Sequence, residues 1–166
     1  MTRPAVDAAL RSDVADVVYA AALALDANDF DAFLALAGSD FHYRIEAYSP
    51  DLRKTMTWLD HDRRGLAALI DLLPRHHVDG AQWLRHVVVY RVASVGPDRA
   101  QAVSSVALFH TAVDIGDPHL DGGSSRLFAV GRYYDDLVLE GSSWRLAART
   151  VRLDTRQLGI GTHLLP

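Results

Sequence analysis

From Pro4 onward, Val6, Leu10, Val14, Val17, Val18, Ala21 and Leu25 recur at steps of three and four residues, the spacing of one face of an α-helix. Pro4 suits a first-turn position, where the N–H that proline lacks would have no intrahelical acceptor. The pattern predicts a long amphipathic helix that breaks at Asn28. Asp29 then offers a carboxylate to cap a second, short helix. Its Phe30, Phe33, Leu34 and Leu36 face inward, and it ends near Gly38, giving an αα-hairpin. At Phe41 the period falls to two: Phe41, Tyr43 and Ile45 alternate with His42, Arg44 and Glu46, as in a strand with one wet face. A short strand from Met56 to Leu59 is expected after the Ser49-Pro50-Asp51 turn. Asp60 is then expected to cap a third helix that carries Leu66, Leu69, Ile70 and Leu73 and stops at Pro74.

Beyond residue 80 no helical period holds. Strand-like runs cover Gln82 to Val95, Arg99 to Val113, Ser125 to Leu139 and Ser143 to Leu153. They are separated by Gly96-Pro97-Asp98, by residues 114–124 and by Glu140-Gly141-Ser142, which predicts an antiparallel meander. Helices first and strands later imply an α+β fold: a strongly curved, mixed or antiparallel sheet with about three helices on its concave side, the long strands bending at bulges.

The 166 residues make one domain, 1–166, long enough to bury roughly 70% of the surface of the unfolded chain. Residues 159–166 read as a tail, apolar enough at Ile160, Leu164 and Leu165 to dock on something. Seventeen basic against 21 acidic residues leave a net charge of -4, so no basic field draws nucleic acid or an anionic membrane. The longest apolar run, Val17 to Leu25, is too short to span a bilayer and lies among Asp7, Asp13 and Asp16, which predicts a cytoplasmic location. The absence of cysteine excludes from this chain an iron-sulfur cluster, a cysteine-rich zinc site, a thiol nucleophile and a disulfide framework.

Eight histidines invite a metal reading, and Asp60-His61, His76-His77-Val78-Asp79, His86 and His110 include the ligand types of a two-His, one-carboxylate site. No HxxxH on a helix or HxH on a strand supports it, and no metal is expected. A three-residue loop at Pro97, Asp98 and Arg99 would set His86 opposite His110. Two such imidazoles shuttle a proton or fix a substrate oxygen, with Tyr43 or Tyr19 as phenolic partner, if their face lines a pocket; otherwise that face meets solvent or a subunit. Asp40 and Asp26, at helix ends, are the carboxylates best placed for general-base work, although capping and turn formation explain both more simply. Arg126, Arg132, Asp135, Asp136, Arg145, Arg149, Arg152 and Asp154 are expected to form cross-strand ion pairs on a solvated or subunit-facing surface. No phosphate-binding loop, GxSxG or HExxH motif is present.

Five segments, in order, carry a resemblance. They are Leu25-Asp26-Ala27-Asn28-Asp29-Phe30-Asp31-Ala32-Phe33-Leu34, Phe41-His42-Tyr43, Met56-Thr57-Trp58-Leu59-Asp60, Gly131-Arg132-Tyr133-Tyr134-Asp135-Asp136-Leu137, and the run from Trp144-Arg145-Leu146 to Leu153-Asp154. Together they make the chain resemble, over nearly its whole length, the small (beta) subunit of Rieske-type ring-hydroxylating oxygenases. That family lies within the NTF2-like, SnoaL-like superfamily of cone-shaped α+β proteins.

The resemblance implies a non-catalytic structural subunit that supports assembly of catalytic alpha subunits, typically three of each around a beta homotrimer. The Rieske cluster and mononuclear iron would sit in alpha, and this chain would hold no cofactor and no catalytic residue of its own. Substrates across the family run from aromatic acids and hydrocarbons to small sulfonates. Still open is a stand-alone NTF2-like enzyme of isomerase or dehydratase type, or a small-ligand-binding protein, dimeric if it stands alone. In either, Tyr19, Asp40, Tyr43, His86 and His110 would line the cone's pocket.

Overall fold

The Asp7 side chain accepts a hydrogen bond from the Ala9 N–H at 3.1 Å, capping helix α1, Ala8–Asp26. The computed structural model describes residues 7–72, 81–113, 122–156 and 165–166; Pro4, Pro74, His76, His77 and Asp79 lie outside them, as does most of the tail. Val14, Val18, Ala21 and Leu25 form the buried stripe of α1, the face that the sequence spacing predicts. Asn28 ends the hairpin's first arm in the left-handed region (φ 54°), which asparagine tolerates better than most residues. Asp29 then caps α2, Phe30–Ala35, by accepting from the Ala32 N–H at 2.9 Å.

The remaining elements are β1 (Ala37–Ser49), β2 (Lys54–Asp62), α3 (Arg63–Ile70), β3 (Gln82–Gly96), β4 (Arg99–Thr111), β5 (Ser125–Glu140) and β6 (Ser143–Leu153). The cap of α3 is Asp62, which accepts from the Gly65 N–H at 2.7 Å, and not Asp60. Antiparallel pairing with β1 carries β2 past its expected end, through Arg44↔Asp60 to His42↔Asp62. There the Asp60 carboxylate takes His42 and Arg44 as partners, and these, His42 first, hold it below the usual carboxylate range against the opposing effect of burial.

The six strands form one curved sheet in the order β2-β1-β6-β5-β4-β3. The meander predicted for β3 to β6 is present; β1 joins it parallel to β6, making the sheet mixed. Register shifts at Ile45/Glu46, Val89/Arg91, Ser94/Gly96, Leu108/Phe109 and Asp136/Leu137 supply the bends. Helix α1 packs against β3, β4 and β6, while α3 packs against β1 and β2. Phe33, Phe41 and Tyr43, with ring centroids 6.1–6.2 Å apart, close the core beneath the hairpin. Among the described residues no helix is long and apolar enough to cross a membrane.

The β3–β4 register overturns the His86–His110 pairing. The turn has two residues, Pro97 and Asp98, with Gly96 opposite Arg99, and two bulges follow. His86 therefore faces Ala107 and His110 faces Trp83. The net displacement from the expected register is odd, which puts the two histidines on opposite faces of the sheet.

Gly131 of β5 stands opposite Leu153 of β6. A β-carbon there would lie 3.0 Å from Leu153 Cα and closer still to the Arg152 carbonyl oxygen, both of them backbone atoms that cannot swing aside. Gly131→Ala is therefore expected to cost at least about 1–3 kcal/mol, the range for overpacking a core. A urea midpoint unchanged from wild type would show that the strands separate freely.

Candidate functional site

Period-two alternation sends Tyr133, Asp135 and Leu137 of β5, and Arg149, Val151 and Leu153 of β6, into the cone. The register sets Asp135 directly opposite Arg149. Both side chains are fully buried, and they meet as a fork, Nε–Oδ1 2.7 Å and Nη2–Oδ2 2.8 Å. The guanidinium also lies 4.2 Å from the centre of the Tyr133 ring. Burial by itself would lower the Arg149 pKa, but the charge and hydrogen bonds of Asp135 raise it above its ordinary value.

A second ion pair fastens the end of α1 to β3. Asp26 accepts from Arg85 Nη1 at 2.5 Å and from the Arg85 backbone N–H at 3.0 and 3.1 Å through its two oxygens. Its carboxylate is thus occupied in joining helix to sheet, not held free as a base. Arg85 Nη2 donates to the Leu165 carbonyl oxygen, and the Tyr43 hydroxyl donates to a main-chain oxygen of Pro166 at 2.7 Å. Burial raises the pKa values of both Tyr43 and Tyr133, partly offset by Arg149 and Arg85, so both phenols stay protonated. Among the described residues, Arg85 Nε, Arg149 Nη1, Tyr133 Oη and Ser104 Oγ are buried with no hydrogen-bond partner.

The five side chains of the stand-alone-enzyme reading do not converge. Tyr43 is inside the cone, fully buried. His110 also faces inward but sits edge-on to Trp83 (4.8 Å), which meets Phe128 (4.9 Å). His86 is on the opposite face, against Phe109 at 5.1 Å. Tyr19 is 40% exposed on α1, its hydroxyl accepting a long bond (3.5 Å) from the Val89 N–H. Asp40 is exposed beside an open groove of about 550 Å³ between β1 and α3. Arg63 in that groove is already occupied, donating to the Leu34 and Ala37 carbonyls at 2.8 Å. No group of three or more His, Asp or Glu residues able to hold a metal occurs among the described residues.

The expected Arg/Asp ladder divides between two faces. Asp135–Arg149 is internal, whereas Arg132–Asp154 (3.3 Å) and Arg152–Glu46 (2.7 Å) lie on the outer face, with Arg152 also 4.9 Å from the Tyr134 ring centre. On that outer face β3 and β5 present large apolar side chains among polar ones such as His86, Ser105 and Arg132. Leu84, Val88, Tyr90 and Leu127 are each more than half exposed, and Val130 and Tyr134 continue the surface. The rows His86–Ala107–Val130 and Val88–Ser105–Arg132 line a shallow groove of about 370 Å³ within it.

Residues 20–159 match the family model described as the ring hydroxylating beta subunit. The chain is also 39% identical to the methanesulfonate monooxygenase hydroxylase beta subunit of Methylosulfonomonas methylovora over 164 residues, covering 95% of this chain and 90% of that one. The chain belongs to the ring hydroxylating beta subunit family. A second relative of this beta subunit, that of 2-aminobenzenesulfonate 2,3-dioxygenase from an Alcaligenes species, is 30% identical over 91% of this chain and 95% of its own. Among solved structures, the beta subunit superposes on a chain of naphthalene 1,2-dioxygenase with TM-score 0.74 at 19% identity, covering 98% and 86% of the two chains. It also superposes on a ketosteroid isomerase-like protein from Erwinia carotovora atroseptica (TM-score 0.61, 14% identity, 90% and 99% covered), and its fold is accordingly NTF2-like. Beta subunits of multicomponent oxygenases pair with alpha subunits.

Proposed function

We propose that this beta subunit is the assembly subunit of an oxygenase acting on an organosulfonate. It contributes no reacting group, holds the catalytic alpha subunits through the apolar half of its outer sheet face, and works in the cytoplasm. The observation that carries the reading is that face: Leu84, Val88 and Tyr90 of β3 and Leu127 of β5 stand more than half exposed on one side of the sheet, with Arg132, Asp154 and Arg152 beside them. A patch of that kind, with an apolar centre and charged edge, is the anatomy of a protein interface. The arginine-and-aromatic half of the same face, with Glu46, Arg152 and Tyr134 stacked across β1, β6 and β5, then supplies the contact between beta copies in a homotrimer.

The Rieske cluster and the mononuclear iron belong to alpha in this reading. A Rieske centre takes two cysteine and two histidine ligands, and these 166 residues include no cysteine. The sulfonate assignment rests on the names of the two relatives, one an oxygenase of methanesulfonate and the other of 2-aminobenzenesulfonate. The test is purification of the tagged beta subunit from its native source, with iron analysis, mass spectrometry of whatever accompanies it, and oxygen uptake by the complex. A larger, cysteine-bearing, iron-containing chain and uptake that depends on methanesulfonate or an aromatic sulfonate are expected. Recovery of this chain alone, without iron, overturns the assembly role; uptake with benzoate but with no sulfonate overturns the substrate class.

A further inference from the structure

The interior of the cone holds two residues from the far end of the sequence. Leu165 is 2% exposed and belongs to the hydrophobic core, and Pro166 is buried beside it. Their main-chain oxygens accept from two buried donors, Arg85 Nη2 and Tyr43 Oη. Neither donor is improvised. Asp26 holds Arg85 by its side chain and its backbone N–H, and Phe33 and Phe41 pack edge-on or tilted around the Tyr43 ring. Fixed donors in an apolar, water-excluding setting are the make-up of a small-molecule site, in which a few placed polar groups orient a ligand whose body is apolar.

The site also offers more than the dipeptide uses. Arg85 Nε, Arg149 Nη1 and the Tyr133 hydroxyl are buried and unpartnered among the described residues. Tyr43, Tyr133, Arg85 and Arg149 also act on one another electrostatically, which places them in one neighbourhood. Buried donors without acceptors are costly, and a ligand that brings additional acceptor oxygens relieves that cost.

We propose that the cone interior is a binding site for a small carboxylate with an apolar body, and that the chain fills this site with its own Leu165 and Pro166. The leucine side chain stands in for the apolar body, and the two main-chain oxygens stand in for the oxygens that Arg85 and Tyr43 recognise. A tethered occupant acts at an effective concentration in the millimolar range, so a free carboxylate gains access only when the dipeptide is removed or outcompeted. The site is independent of the assembly role, since it lies on the opposite side of the sheet from the outer face.

The test compares the full chain with a chain lacking Leu165 and Pro166, both in their purified native assembly state, using N-acetyl-Leu-Pro and its amide as probes. The shortened chain is expected to melt several degrees lower and to regain most of that loss on addition of N-acetyl-Leu-Pro. It should bind that acid at least tenfold more tightly than the full chain does, and more tightly than it binds the amide. Arg85→Met in the shortened chain should weaken binding at least tenfold. A melting midpoint that does not change on shortening, or a folded shortened chain that does not bind the acid at millimolar concentration, overturns the proposal. Should the shortened chain fail to fold, Tyr43→Phe in the full chain removes one hydroxyl and nothing else. Amide exchange at Leu165 is then expected to quicken at least tenfold with α1 unaffected, and unaltered exchange there overturns the proposal equally.

Discussion

Replacing Arg149 by methionine is expected to lower stability by about 3–5 kcal/mol, the usual consequence of leaving one member of a buried ion pair without the other. For a domain of this size that is a fall in melting temperature of roughly ten degrees. The reason lies in the register: β5 and β6 bring Asp135 and Arg149 face to face inside the cone, where neither side chain retains any solvent exposure. Without the guanidinium, the Asp135 carboxylate loses both of its short hydrogen bonds, and the Tyr133 ring loses the cation stacked on it. The double variant Asp135→Leu, Arg149→Met removes both charges together, and it removes the unpartnered Arg149 Nη1 as well. It is expected to recover most or all of the loss, because apolar replacements of buried pairs are often neutral or stabilising. Denaturant titrations of the two variants decide the matter. A single variant within 1 kcal/mol of wild type, or a double variant no better than the single, would remove the ion pair from the account of stability.

The second large effect concerns assembly. Val88→Asp combined with Leu127→Asp puts two carboxylates into the apolar half of the outer face, on β3 and β5. Both side chains are more than half exposed, 52% and 55%, so the isolated beta subunit should fold and melt nearly as before. Within a closed interface the same carboxylates are desolvated and unpaired, and the affinity for the alpha subunit is expected to fall more than a hundredfold. Co-purification with tagged alpha and size-exclusion chromatography measure it. Retention of alpha at wild-type level would show that alpha docks elsewhere on the molecule. Loss of self-association with alpha retained would assign this half of the face to the beta–beta contact instead.

Much of the architecture was legible in the amino-acid sequence because local rules decided it. The α1 stripe from Val14 to Leu25, the Asp29 cap and the four long strands after residue 80 each rest on a period or a turn residue that tertiary packing did not override. Wherever an answer depended on counting across a bulge, the reading failed. Two bulges and a shorter turn in the β3–β4 hairpin moved His86 and His110 to opposite faces, and continued pairing with β1 took Asp60 out of its expected cap. The interior polar cluster was missed for a related reason. Arg149 and Asp135 carry the chemistry of a wet surface, and only the alternation of Tyr133, Asp135 and Leu137 hints that the aspartate faces inward. Arg85 offered still less, because its partners Asp26, Leu165 and Pro166 are distant in the chain and joined to it only by the fold.

The parallel pairing of β1 with β6 has a consequence for how the protein is made. Residues 42–47 find their hydrogen-bonding neighbours in residues 148–153, so among the described residues the β1–β2 ribbon joins the rest of the sheet through β6. A two-stranded ribbon is marginally stable in water at best, and closing a loop of that length carries an entropic cost before any contact rewards it. During translation the ribbon therefore waits until β6 has left the ribosome, while β3, β4 and β5 can already pair as a meander. Folding of so non-local a topology is slow, and the last strand completes both halves at once. A polypeptide truncated or stalled before β6 therefore lacks the strand that joins the two parts of the sheet.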